Sequence, residues 1–237
     1  MRIAMWSGPR NLSTALMYAF GNRADFAVVD EPFYAAYLAK TGIIHPMRSE
    51  ILAAQPNDPA EVIDGILGPV PAQKAHFYQK HMAQHMVASV DRGWMAQVTN
   101  VFLIRHPARV VASYAAKREG PGPDDIGFWQ QAELFDEVRA RGNAPLVIDS
   151  HDIRENPERT LRALCKAVGL RFDPVMLVWQ AGGHKDDGAW AAHWYGAVHQ
   201  SCGFAGPEGG LPALSGDYAS LAKQALPHYE YLRRFRL

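Results

Sequence analysis

Cysteine is scarce: Cys165 and Cys202 are the two in 237 residues. That is too few for a disulfide framework and points to a reducing compartment. Neither sign of charge is in excess, with 24 Lys+Arg against 24 Asp+Glu, which argues against bulk electrostatic binding to nucleic acid or an anionic membrane. Any anion site must therefore be local. No run approaches the roughly 20 apolar residues that cross a bilayer, and Met1 to Trp6 lacks the long apolar stretch and cleavage site of a secretory leader. The chain thus reads as cytoplasmic, with no membrane and no nucleic-acid partner. A Gly-x-Ser-x-Gly elbow is missing, as is a Cys–His pair at a recognisable spacing, so hydrolase readings have no support. What remains, 48% hydrophobic and 20% charged, is the composition of an ordinary globular protein able to bury one large core.

Five short apolar runs carry β-branched or aromatic residues: Arg2 to Trp6, Phe26 to Val29, Ala75 to Gln79, Val101 to Ile104 and Leu146 to Ile148. Between them Leu12 to Phe20, Ala60 to Leu67, Met82 to Asp91, Arg109 to Lys117 and Phe128 to Arg141 read as helices. Alternating strands and helices predict a single α/β domain, a central parallel sheet flanked by helices. Its core spans residues 1–175, with a loop-rich part over 176–237. A further helix, Leu161 to Val168, closes at Gly169 in the C′ position, and a short one runs from about Asp217 to the end. Residues 41–74, rich in Pro, are predicted to be loop interrupted by the one short helical segment, and 119–127, rich in Gly and Pro, to be a loop.

The first strand runs into Ser7-Gly8-Pro9-Arg10-Asn11-Leu12-Ser13-Thr14 and then a helix. Backbone N–H groups at a helix start attract an anion. Asn11, Ser13 and Thr14 lie in that loop; the two hydroxyls are donors, and the Arg10 fork can grip two oxygens. The loop is not a Walker A, because Leu12 and Ser13 stand where Gly and Lys belong, which disfavours a usual P-loop kinase or triphosphatase. A second cluster follows the fourth run: Arg105-His106-Pro107-Ala108-Arg109-Val110-Val111-Ala112-Ser113. Pro107 suits the first position of a helix, and Arg109 and Ser113, four apart, share a face.

As an ordered pair these elements resemble the sulfotransferases that use 3′-phosphoadenosine 5′-phosphosulfate (PAPS), with the flavour of a bacterial member acting on small molecules. Pro9 to Thr14 is similar to that family's Pro-Arg/Lys-Ser-Gly-Ser/Thr-Thr loop, and Arg105 to Ser113 to its Arg-Asp-Pro-Arg-Asp-Val-x-x-Ser element. The resemblance implies a P-loop-like fold and transfer of a sulfuryl group from PAPS to a hydroxyl or amine of a small acceptor, with PAP released and no metal required. It implies that Arg10, Asn11, Ser13 and Thr14 hold the 5′-phosphosulfate and that Arg105 and Ser113 hold the 3′-phosphate, assisted by Arg109. Asn11-Leu12 replaces the usual Ser-Gly, His106 a common Asp, Ala15 an adenine-stacking Trp, and Ser150 a Tyr that often lines the adenine.

Sulfuryl transfer needs a base for the acceptor proton and a cation for the leaving oxygen. Glu31, in Asp30-Glu31-Pro32, resembles the catalytic carboxylate of some bacterial and Golgi members. His81, in Gln79-Lys80-His81, resembles the base of cytosolic members, with Lys80 sharing the phosphosulfate charge. Both bases stay open, as do two other readings: an atypical phosphotransferase, and a non-catalytic nucleotide-binding module. His81 and His85 stand four apart, but no Glu follows His81 and no metal site is expected. The Trp- and His-rich segment 184–204 could wall an acceptor or adenine site.

Overall fold

Strands form where the short β-branched and aromatic runs stand, because each must bury both faces of a parallel sheet. A computed structural model describes residues 1–116 and 120–237. In chain order the elements are β1 Arg2–Ser7, α1 Ser13–Gly21, β2 Phe26–Asp30, α2 Tyr34–Thr41, α3 Arg48–Ala54, α4 Pro59–Leu67, β3 His76–Met82, β4 Thr99–Ile104, α5 Pro107–Ala115, α6 Pro123–Ile126 and α7 Phe128–Ala140. There follow β5 Leu146–Asp149, α8 Ser150–Glu155, α9 Pro157–Ala167, α10 Ala191–Trp194, α11 Gly196–His199 and α12 Gly216–Arg233. All strand pairs are parallel, in the order β2-β3-β1-β4-β5. The expected parallel α/β domain is what the chain forms.

Alternation along each strand builds two cores. Ala4, Trp6, Phe102 and Ile104 face the layer made by α4, α5, α7 and α12. Ile3, Met5, Val101 and Leu103 face the opposite layer, where α1 and α9 pack. The order places β1 beside β4, and the chain leaving β1 runs to β2 on one side while the chain leaving β4 runs to β5 on the other. That is the switch point where open α/β sheets bind ligands.

Several predicted elements shift. Met82 to Asp91 is not a helix: β3 continues through Met82, and a 3-10 turn at Ala83–His85 leads into a loop. There the Met86 carbonyl accepts from Arg92 Nη2 at 2.6 Å rather than from a helical amide. Within 41–74 the expected helix over Ala60 to Leu67 forms as α4, started by Asp58, which accepts from Ala60 N at 3.0 Å with Pro59 at the first helical position, and a second helix, α3, stands where loop was predicted. Of the predicted loop 119–127, Glu119 lies outside the described residues and Pro123–Ile126 is helical. Lys117, the predicted end of the helix begun at Arg109, also lies outside them. Pro107 opens α5 as expected, capped by His106, whose Nδ1 accepts from Ala108 N at 3.2 Å. Gly169 follows α9 with φ 76°, and the Leu170 amide bonds back to Cys165 O at 2.7 Å. The C-terminal helix is not short, at 18 residues, and sends Leu221, Ala225, Tyr229 and Leu232 into the core. Among the described residues no helix is long and apolar enough to cross a membrane.

Candidate active site

A cavity of about 300 Å³ opens at the carboxyl ends of β1, β2, β3 and β4. One wall is the loop after β1. Gly8 is required there, because a Cβ on it would stand 2.6 Å from Ile126 O. Asn11 Nδ2 donates to Leu103 O at 2.9 Å, and Asn11 Oδ1 accepts from Leu12 N at 3.0 Å, pinning the loop to the end of β4. Asn11 therefore shapes the loop, with its amide engaged by protein partners. Arg10 adopts φ 54° and Glu31 φ 39°. Such left-handed backbone in non-glycine residues is held by surrounding structure and clusters at functional sites.

Arg10, Asn11, Ser13 and Thr14 all line the cavity at the start of α1. Among the described residues no side chain caps this helix, so its first amides are left for an anion. Arg10 Nε donates to Ser113 Oγ at 3.0 Å, Nη1 reaches Trp194 O at 3.3 Å, and the Arg10 carbonyl accepts from Arg105 Nη1 at 2.5 Å. The two sequence motifs, about a hundred residues apart, thus meet in one hydrogen-bonded unit. Burial, and then the neighbouring charge of Arg105, lower the Arg10 pKa.

Arg105 and Ser113 line the cavity, whereas Arg109 does not. Arg109 turns to the C-terminal segment, with Nε 3.2 Å from Glu208 Oε2 and Nη2 on the Gly209 carbonyl. Arg154 lines the cavity too and joins this cluster through Glu208 Oε1 at 3.2 Å. Ser150 is fully buried and does not line the cavity; Ala15 does.

The other wall is a buried ionic cluster. Lys80 sits abreast of Asp30 in the β2–β3 register. Its Nζ donates to Asp30 Oδ1 at 2.8 Å, Glu31 Oε1 at 2.5 Å and Tyr195 Oη at 2.7 Å. Burial alone would lower the Lys80 pKa, but the two carboxylates outweigh it and the net shift is upward. Burial raises the Glu31 pKa, against the pull of Lys80. Tyr195 is the hub: its hydroxyl also stands 2.8 Å from Asp30 Oδ2 and receives Trp190 Nε1 at 2.9 Å.

His81 is elsewhere. Neighbours on a strand point to opposite faces, so Lys80 meets the cavity while His81 enters the aromatic core, stacked on Trp6 with ring centroids 4.6 Å apart. It does not line the cavity, and burial pushes its pKa down to about 3. The histidine near the carboxylates is His85, stacked on Tyr34 and Tyr37, with Nε2 4.0 Å from Glu31 Oε2. It lines the cavity, and burial lowers its pKa as well. Among the described residues no group of three or more His, Cys, Asp or Glu is arranged to hold a metal.

Sequence reasoning missed Glu208 and the place of His85 beside the carboxylates, and it gave no individual role to Tyr195 or Arg154. The Trp/His-rich composition of 184–204 was the one available signal, and Trp190, Trp194 and Tyr195 do line the cavity.

The sulfotransferase-domain family model matches residues 1–235. The chain belongs to that family. As a sulfotransferase domain it is similar in structure to a sulfotransferase from Alicyclobacillus acidocaldarius, with a TM-score of 0.56 at 10% identity over 99% of this chain and 96% of that one. It is likewise similar to the sulfotransferase domain of the Synechococcus PCC 7002 olefin synthase, with a TM-score of 0.51 at 17% identity over 94% of each chain. Those likenesses show the fold. Two Arabidopsis thaliana relatives, branched-chain-amino-acid aminotransferase-like proteins 2 and 1, are 34% and 35% identical over 98% of this chain. The chain spans 41% of the length of each, so it corresponds to a part of those proteins.

Proposed function

We propose that this sulfotransferase domain moves a sulfuryl group from PAPS to a hydroxyl or amine of a small acceptor. One observation carries the reading: a single cavity joins the uncapped start of α1, Arg10 and the Arg105–Ser113 element on one side to a buried Glu31–Lys80 cluster on the other. Few small molecules carry two separated anionic groups that need both cationic elements, and PAPS is one of them.

In this mechanism the α1 amides, Arg10, Ser13 and Thr14 grip the 5′-phosphosulfate, while Arg105 and Ser113 take the 3′-phosphate. Glu31 accepts the acceptor proton as the new S–O or S–N bond forms. The bridging S–O bond breaks, its electron pair leaving on the 5′-phosphate of PAP. Arg10 and Lys80 stabilise that developing charge. Glu31 suits the base because burial raises its proton affinity. His81, sealed among Trp6, Phe33 and Trp94, takes no part.

The test is transfer of label from [35S]PAPS to a panel of phenols, alcohols and amines, run beside ATP-Mg²⁺ with the same panel. Label in an acceptor, lost in Glu31→Gln while PAP still binds, supports the reading. Phosphoryl transfer from ATP-Mg²⁺ would replace it with the atypical phosphotransferase. PAP binding with no turnover on any acceptor would favour the non-catalytic module.

A further inference from the structure

Glu208 lies in the irregular segment before α12, within Gly206-Pro207-Glu208-Gly209-Gly210. Its neighbours are exposed, and among the described residues nothing stands within 4 Å of where a Cβ would sit on Gly206, Gly209 or Gly210. Yet the Glu208 side chain is only 7% exposed. Oε1 is bound by Arg105 Nη2 and, at 3.2 Å, by Arg154 Nη1, while Oε2 stands 3.2 Å from Arg109 Nε. The flanking backbone is held by the same arginines, Arg154 Nε donating to Gly206 O at 2.7 Å and Arg109 Nη2 to Gly209 O. An unpacked strap is thus fastened through one carboxylate.

That carboxylate is a poor match for its site. Among the described residues its single negative charge faces three guanidinium groups, and the buried Arg105 Nε is left without a hydrogen-bond partner. A phosphate monoester carries up to two charges and three terminal oxygens, and satisfies such a cluster better. Arg105 is also the residue to which the PAPS reading assigns the 3′-phosphate. We propose that Glu208 is an internal counter-ion occupying the 3′-phosphate subsite, completed by Arg109 and Arg154, and that a 3′-phosphorylated nucleotide enters by displacing it and freeing the strap. The inference rests on the PAPS reading. A nucleotide without a 3′-phosphate has nothing to exchange for Glu208, so the strap sets donor selectivity at this subsite.

The experiment uses the whole chain and its Glu208→Gln, Glu208→Ala and Arg154→Ala variants, titrated calorimetrically with PAP and with AMP. In parallel, wild type is digested with a glutamate-specific protease, with and without PAP. Both Glu208 variants should bind PAP about tenfold tighter, since each removes a charge-assisted competitor, and AMP as before. Arg154→Ala should weaken PAP by a similar factor and leave AMP unchanged. In wild type, PAP should speed cleavage after Glu208. If PAP binds wild type and the Glu208 variants alike and cleavage after Glu208 is unaffected, the counter-ion inference falls while the PAPS reading stands. Weaker PAP binding to both variants would make Glu208 a support for the arginines and overturn the inference. No PAP binding by any chain would overturn both proposals.

Discussion

Lys80 and His81 are neighbours in sequence with opposite surroundings, and what separates them is the strand's period of two. The sequence pattern ends the third strand at Gln79, whereas β3 continues to Met82. With both residues inside the strand, Lys80 falls on the cavity face and His81 in the aromatic core. Motif spacing cannot reveal that, because it does not say how far the strand runs. Glu31→Gln is expected to abolish transfer with PAP affinity intact, as read by single-turnover assay and calorimetry. Its raised pKa also sets the sign of the rate profile. Activity should fall with acid along a limb lying above the ordinary glutamate value of about 4.3, since a protonated Glu31 cannot accept the acceptor proton. A limb at or below the ordinary value would contradict the assignment. Lys80→Ala would leave Asp30 and Glu31 buried without their cation. A loss of about 3–5 kcal/mol in urea unfolding is expected, with Lys80→Met losing the same charge but less packing.

At the scale of elements, the strands and the two loops were legible because each is specified locally. A short β-branched run makes the strand, and Pro107 with its flanking arginines marks the helix start. The helices α2 and α3 were not, because Pro-rich flanks hid them and tertiary contact buries Tyr34, Tyr37 and Ile51. The stretch after β3 misled in the other direction, its helix-forming residues being overridden by the Arg92 contact to Met86 O. The buried β3 histidine gives an element-scale prediction. His81 has a folded pKa of about 3, below its unfolded value, so its stabilising effect is present above roughly pH 6.5 and is lost as pH falls toward the folded value. Between those limits it should cost about 1.4 kcal/mol per pH unit. His81→Phe should flatten the fall in unfolding free energy between pH 6.5 and pH 4.5 while folded protein retains transfer activity. An unchanged slope would place His81 in contact with water. Gly8→Ala, which brings a Cβ against Ile126 O, should lower the melting temperature and weaken PAP together, because loop and α6 must part.

For the whole molecule, zero net charge coexists with a concentrated cationic site, since Arg10, Arg105 and Arg154 converge on one cavity from three elements or loops distant in sequence. The C-terminal part is integral to the unit: it supplies Trp190, Trp194 and Tyr195 to the cavity and α12 to the core, and Leu237 N bonds to Val147 O at 3.0 Å. Composition marked the aromatic segment but not its place, which depends on long-range packing onto Asp30 and Lys80. The measurement that bears most directly on the central claim is a thermal-shift titration of wild type and Arg105→Ala with PAP and AMP. A ligand bound only by the native state adds about 2.7 kcal/mol at ~100 times its Kd, enough to move the melting temperature visibly. The wild type should be stabilised by PAP well beyond AMP, and Arg105→Ala should lose that excess while keeping its response to AMP. Equal shifts for the two nucleotides in wild type, or an excess for PAP that survives in Arg105→Ala, would contradict the account.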